Sequence, residues 1–155
     1  MWRCPVCGQT FVTRNMPHSC QVVPLGDHFA GRPPAVRAAF DAFVAAAEEH
    51  GPVTINATKS RITLQVRMRF AAVEPRRDHL RGHLVLKRHI KSDRLTVEHL
   101  PPHYYLHRFR LTDPAGVDDE LKAWLAEAYQ VGAQVSGAPP PAAPPAQGRP
   151  TPGRR

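Results

Sequence analysis

The sequence predicts an α+β fold, and three observations carry that expectation. Apolar residues recur at helical spacing between residues 33 and 50, and again between 118 and 132. Between those stretches the pattern changes to apolar and polar residues in alternation, the period of strands with one wet face. Ahead of both, three cysteines and a histidine crowd into the first twenty residues. The order is therefore a small Cys/His segment, a helix, a mostly antiparallel sheet and a second helix.

The Cys/His segment, residues 1–30, reads as a zinc finger. Its spacing is Cys4-x2-Cys7, ten residues, then His18-x-Cys20. An odd number of cysteines, all before residue 21 in a chain that starts without the apolar run of a signal peptide, argues for metal over disulfides. The turn Cys4-Pro5-Val6-Cys7-Gly8 can bring two thiolates to one ion: Pro presets the backbone and Gly permits positive φ. Four N or S ligands make a closed, structural zinc site. Such a site gives a twenty-residue segment folding energy that burial alone cannot supply. Cys4, Cys7 and Cys20 are three ligands; His18 is the expected fourth, with His28 the alternative. A redox role for Cys4-x2-Cys7 would need a βαβ context that is missing, and would leave Cys20 without a purpose.

The second segment, residues 33–132, is expected to be the α+β domain. Pro33-Pro34 suits a helix start. Val36, Phe40, Phe43, Val44 and Ala47 continue the helix to about His50, and Gly51-Pro52 ends it. Val53-Thr54-Ile55 is a short strand. Arg61 to Phe70 alternates and reads as one strand, with Arg61, Arg67 and Arg69 on its wet face. Further strands are expected over His79–Leu86, Leu95–His99 and Tyr104–Leu111. The last helix starts at the acids Asp118, Asp119 and Glu120, which suit the positive end of its dipole. Leu121, Trp124, Leu125 and Ala128 form its apolar stripe, and Gly132 is read as its stop. Residues 133–155 hold 7 of the 17 prolines and end in Arg154-Arg155, so they are expected to be a disordered, basic tail.

Net charge is +8 over 155 residues. Between Lys59 and Arg110 stand thirteen basic and four acidic residues, a local net charge of +9. Such a balance favours anionic partners, DNA or RNA first. The candidate contacts are Lys59, Arg61, Arg67, Arg69, Arg76, Arg77 and Arg81, with Tyr104 and Tyr105 available for stacking where exposed. The competing reading is a solvated sheet whose charge serves solubility, on a module that binds another protein or a small ligand. Six of the nine histidines also fall here, at 79, 83, 89, 99, 103 and 107. They raise a third reading, an enzyme with a histidine in a pocket. Nearby acids are few, and no Gly-rich phosphate loop, nucleophile elbow or H-E-x-x-H motif is present, so the sequence leans against catalysis. No run approaches the length of a membrane span, and a cytoplasmic location without membrane partners is expected.

Several motifs together resemble a known family. These are Trp2-x-Cys4-Pro5-x-Cys7-Gly8-x-x-Phe11, His18-Ser19-Cys20, His28-Phe29-x-Gly31, Gly51-Pro52-Val53, Lys59-x-Arg61-Ile62, Phe70-Ala71-Ala72-Val73, Leu84-Val85-Leu86, Phe109-Arg110-Leu111 and Trp124-Leu125-x-Glu127-Ala128-Tyr129-x-x-Gly132. In this order, over residues 2–132, the chain is similar to bacterial proteins of the domain-of-unknown-function family 5655. The resemblance implies no reaction. Related domains joined to nuclease-like or restriction-type modules make nucleic acid the partner it points to. That is analogy at the level of the fold and assigns no site.

Overall fold

The structure is a computed structural model and describes residues 1–135. The expected tail lies, from residue 136 on, outside the described residues. The chain opens with a two-stranded hairpin, β1 (Trp2–Arg3) and β2 (Thr10–Phe11). A 3-10 turn at Leu25–His28 leads to α1 (Pro34–Glu48). Six strands follow: β3 (Thr54–Ala57), β4 (Ile62–Gln65), β5 (Arg69–Pro75), β6 (Leu80–Leu86), β7 (Thr96–Leu100) and β8 (Tyr104–Leu111). The last element is α2 (Asp119–Ala133). No helix among the described residues is long and apolar enough to cross a membrane.

The six strands form one antiparallel sheet in the order β3-β4-β5-β6-β8-β7. Both helices cover one face. Val36, Phe40 and Phe43 of α1 and Leu121, Leu125 and Ala128 of α2 join Ile62, Leu64, Val73, Leu80, Leu84, Phe109 and Leu111 in a single core cluster. Within each strand these residues share one parity, as a period of two requires. Asp118 caps α2 by accepting the Leu121 N–H at 2.9 Å. Arg94, from the β6–β7 connection, donates to both of the Asp118 carboxylate oxygens at 2.8 Å.

The structure corrects the expected Arg61–Phe70 strand. The chain turns back at Val66–Met68, so β4 and β5 form a hairpin. That turn is held from outside: Arg67 and Met68 donate their backbone N–H groups to the Gly132 carbonyl at 3.1 and 2.9 Å. A bulge follows, with Leu64 opposite Ala71 and Gln65 opposite Arg69. The extra residue lets Phe70 and Ala71, neighbours in sequence, both enter the core. The expected wet face is also corrected. Thr63 is buried, and Gln65 is 1% exposed. Arg67 sits at the hairpin tip and Arg69 is half-buried, so the two do not share an open row with Arg61.

Gly132 does not stop α2. The helix runs one residue further, and Gln134 takes the left-handed cap at φ 56°. Gly132 is there for a close approach: a Cβ on it would meet Phe70 Cδ1 at 2.6 Å and Cβ and Cγ at 3.0 Å. Helix propensity favours alanine over glycine by about 1 kcal/mol. Overpacking a buried contact costs about 1–3 kcal/mol. Gly132→Ala should therefore lower the urea midpoint despite the better helix former, and a higher midpoint would show that Phe70 yields freely.

Candidate metal centre and the basic sheet face

The finger is built on the β1–β2 hairpin. Trp2 pairs with Phe11 and Arg3 with Thr10. Between them the turn closes on itself: Gly8, at φ +75°, donates to the Cys4 carbonyl at 2.9 Å, and Cys4 donates to the Gln9 carbonyl at 2.8 Å. This is the turn for which Pro5 and Gly8 were suited. The return of the chain from Met16 to Cys20 then brings the second pair of side chains against the first.

Cys4, Cys7, His18 and Cys20 offer four ligand atoms that all lie within 4.8 Å of one another. They could hold a metal ion. Cys4 Sγ is 3.8 Å from Cys20 Sγ, and His18 Nε2 is 3.3 Å from Cys7 Sγ and 3.4 Å from Cys20 Sγ. Metal–sulfur bonds of about 2.3 Å in a tetrahedron space sulfurs about 3.8 Å apart, so the cluster has the size of such a site. The His18 Nδ1–H donates to the Met16 carbonyl at 2.6 Å, which turns Nε2 inward as the ligand atom. His28 is not one of the four. It is buried at the end of the 3-10 turn, and its Nε2 has no hydrogen-bond partner.

The thiols differ in acidity. Backbone N–H groups of the turn, that of Cys7 foremost, pull Cys4 down to about 6. Burial and the neighbouring thiols Cys4 and Cys7 push Cys20 up to about 11. His18 is raised, chiefly by its bond to the Met16 carbonyl. Three thiolates crowded together repel, and a divalent cation at their centre removes that repulsion.

The finger rests on the sheet face opposite the helices. Gln65 Nε2 donates to the Thr10 carbonyl at 2.7 Å. Arg69 donates to Gln9 Oε1, and its guanidinium lies 4.7 Å from the Phe11 ring centre. Phe11 packs in turn on the His18 ring at 4.4 Å. Beyond the finger, Val23 donates to the Ala57 carbonyl at 3.1 Å and extends the β3 edge. The contact runs through Gln9, Thr10 and Phe11, not through His28 and Phe29 as their place in sequence suggests. Phe29 packs instead on Phe40 of α1, at 5.2 Å.

The expected nucleic-acid contacts divide between two ends of the sheet. Lys59, Arg61, Arg76, Arg77 and Arg81 cluster where the β3–β4 and β5–β6 turns lie, whereas Arg67 and Arg69 are at the opposite end. Arg61 pairs with Glu74 at 3.4 Å, not with an acid of α2. Arg76 pairs with the same Glu74 at 2.7 Å. Arg88 and Arg94 are held by α2, through Glu127 and Asp118, each at 2.8 Å. Lys59, Arg67, Arg77 and Arg81 are exposed. The sequence reading missed Arg108, whose strand register sets it beside His83 on the open face.

The histidines also separate. His107 is fully buried and satisfied: its Nδ1–H donates to the Tyr105 carbonyl at 3.1 Å, and its Nε2 accepts the Ile90 N–H at 3.0 Å. It is a structural residue. Tyr105 stacks on His99 at 4.8 Å, so one face of its ring is already covered. His79 pairs with Asp78 at 2.7 Å. His83 is half-buried between β5 and β8, and burial, with Arg61, Arg108 and Arg81 adding to it, pushes its pKa down to about 4. Among the described residues the Cys/His cluster is the one group of side chains placed to hold a metal.

Fold and cluster together define the class: an α+β domain of two helices on a six-stranded antiparallel sheet, carrying on its other face a Cys/His cluster that could hold a metal ion. The chain belongs to the domain-of-unknown-function family DUF5655, whose sequence profile matches residues 25–132. The matched region begins after Cys20, so it covers the α+β domain and leaves the finger outside, a narrower extent than the resemblance from residue 2. No curated protein and no solved structure matches the chain.

The low pKa of His83 makes stability depend on pH. In the unfolded chain a histidine takes up its proton near 6.5, whereas folded His83 stays neutral until about 4. Stability is therefore complete above about 6.5 and is lost as pH falls toward 4. His107 is shifted in the same direction by its burial and adds to the effect. Thermal midpoints from pH 7 to 4 should fall less steeply for His83→Gln than for the wild type. Loss at acid pH of a metal held by the Cys/His cluster would act on both proteins and cancel in the comparison. Equal slopes would mean that His83 takes up its proton as readily in the folded state as in the unfolded chain.

Proposed function

We propose that the protein is a non-catalytic, zinc-dependent binding module that engages nucleic acid through the sheet face its finger leaves open. The observation that carries the reading is the convergence of Arg61, Arg81 and Arg108, from three different parts of the sheet, on that uncovered face. Guanidinium groups match phosphate oxygens in shape and charge. The exposed Lys59, Arg76 and Arg77 on the adjoining turns extend the positive surface at the same end. Arg67, at the other end, is a peripheral contact, and Arg69 contributes by holding the finger.

Three thiolates and one imidazole are a donor set that favours zinc. Four protein ligands leave no open coordination position, so the metal serves the finger's fold and not a reaction. Purified protein should contain one zinc per chain by elemental analysis. Cys4→Ser should lose the metal and expose residues 1–24 to protease while the α+β core remains folded. A fully folded, zinc-free wild type would refute the assignment.

Binding to DNA or RNA should weaken steeply with salt, because each phosphate contact releases counterions. On duplex DNA the log–log slope should be about −0.9 for each phosphate engaged. Arg81 is exposed and makes no ion pair among the described residues, so its loss should spare the fold. Arg81→Ala should make the slope shallower by about 1. Affinity that stays flat from low to moderate salt, or a protein that shifts no oligonucleotide, would exclude the phosphate contacts.

A further inference from the structure

The open face is not uniformly basic. It has a groove of about 200 Å³, lined among others by Arg61, Glu74, Arg81, His83, Leu106 and Arg108. Strand register explains why these meet. Glu74 stands opposite Arg81, and His83 stands between Ala72 and Arg108. Alternate residues of neighbouring strands thus fall on one face in two adjacent rows. Arg61 reaches in from the β3–β4 turn through its pairing with Glu74.

The charges in the groove are unbalanced. Three guanidinium groups face one carboxylate, and that carboxylate is shared with Arg76 outside the groove. Arg108 is held from the other side by Glu98 at 2.9 Å. Arg61 and Arg108 are therefore oriented by partners, whereas Arg81 makes no ion pair among the described residues. Arginines oriented in this way lose little side-chain freedom when they bind a planar or tetrahedral oxyanion. The groove has the size for a compact anion, and its residues come from the β3–β4 turn, β5, β6 and β8 instead of following one strand. That arrangement gathers the three guanidinium groups about a single phosphate group.

We propose that this groove is a binding site for a phosphomonoester dianion, presented either by the end of a nucleic acid or by a small phosphorylated metabolite. It lies on the face assigned to nucleic acid but does not depend on that assignment. The dianion sits among the guanidinium groups of Arg61, Arg81 and Arg108, and His83 offers a neutral ring for a hydrogen bond. The charged or titratable groups facing His83 are Arg61, Arg81, Arg108 and Glu74. Burial foremost, and then the three guanidinium groups, hold it uncharged between pH 5.5 and 7.5, with Glu74 acting the other way. Affinity in that range therefore follows the ligand's second ionisation, near 6 for a phosphomonoester, and rises with pH. A site that needed a charged histidine would instead show affinity passing through a maximum in this range, because the ring loses its proton as the ligand gains its second charge.

The test uses the full chain with its metal in place. Inorganic phosphate is titrated against chloride at matched ionic strength, with binding followed by calorimetry and by the NMR shifts of the His83 ring. Saturable binding that tightens more than about tenfold from pH 5.5 to 7.5 is expected, because inorganic phosphate gains its second charge nearer neutrality than a monoester does. Arg81→Ala and Arg108→Ala should weaken it at least tenfold, whereas Arg37→Ala, on α1, should leave it unchanged. Two further arms distinguish the source. A 5′-phosphorylated oligonucleotide that binds at least tenfold tighter than its 5′-hydroxyl counterpart identifies a nucleic-acid end. Saturation by uridine 5′-monophosphate, with neither oligonucleotide bound, identifies a metabolite and sets the nucleic-acid reading aside. Phosphate indistinguishable from chloride, with the His83 ring unmoved, overturns the site. If the 5′-hydroxyl oligonucleotide then still binds with a salt slope, the nucleic-acid reading survives without it.

Discussion

Gln65 is a polar side chain with almost no exposure, and its hydrogen bonds determine how the second face of the sheet is used. Its amide nitrogen donates to Thr10 of the finger and to the Arg67 carbonyl, and its amide oxygen accepts from Asn56 on β3. A buried amide is costly unless it is satisfied. Here a single side chain joins the finger, the β4–β5 turn and the edge strand, and each partner depends on the others. With the finger removed, Gln65 and Arg69 would face water, and the turn after Gln65 would lose one of its holds.

The same arrangement couples the Cys/His cluster to the domain. Arg69 bonds to Gln9, and Gln9 bonds to the Ser19 carbonyl, one residue before a ligand. Arg69 also lies over Phe11, which packs on the His18 ring. Partial burial lowers the pKa of Arg69, while the nearby Cys7 sulfur acts in the opposite direction. The cluster is thus more than a local staple on twenty residues. It stiffens the hairpin that supplies Gln65 and Arg69 with partners, and those residues in turn fix the angle at which the hairpin meets the sheet.

What could be read from the sequence follows from where the information is stored. The Cys/His cluster was legible because a Cys-x2-Cys turn and a His-x-Cys pair are local chemistry. Tyr104–Leu111 and both helices were legible because burial imposes a period on one face. The β4–β5 turn was not. Gln65 to Arg69 contains no Gly, Pro, Asn or Asp, and alternation continues across it from Leu64 to Phe70. What breaks the strand is a carbonyl of α2, more than sixty residues away, together with a bulge. Gly132 failed for the same reason: near a helix end it looks like a cap, but its lack of a side chain answers to Phe70. Arg108 went unnoticed because its importance lies in cross-strand register, which a single strand's pattern does not carry.

The same distinction bears on the charge. A local excess of +9 looks like a continuous basic surface when counted along the chain. Folding redistributes it. Arg88 and Arg94 neutralise acids of α2, Arg69 lies partly buried beneath the finger, and Arg61 and Arg76 share Glu74. Arg108 is paired with Glu98, while exposed Lys59, Arg77 and Arg81 gather at one end of the sheet and Arg67, Lys87 and Lys91 lie away from them. Surface ion pairs of this kind contribute little to stability, so the pairing's main effect is to place the remaining charge. A compact excess beside a neutral histidine is a more selective surface than an evenly basic sheet, because it discriminates by the charge and shape of one group and not by net attraction alone.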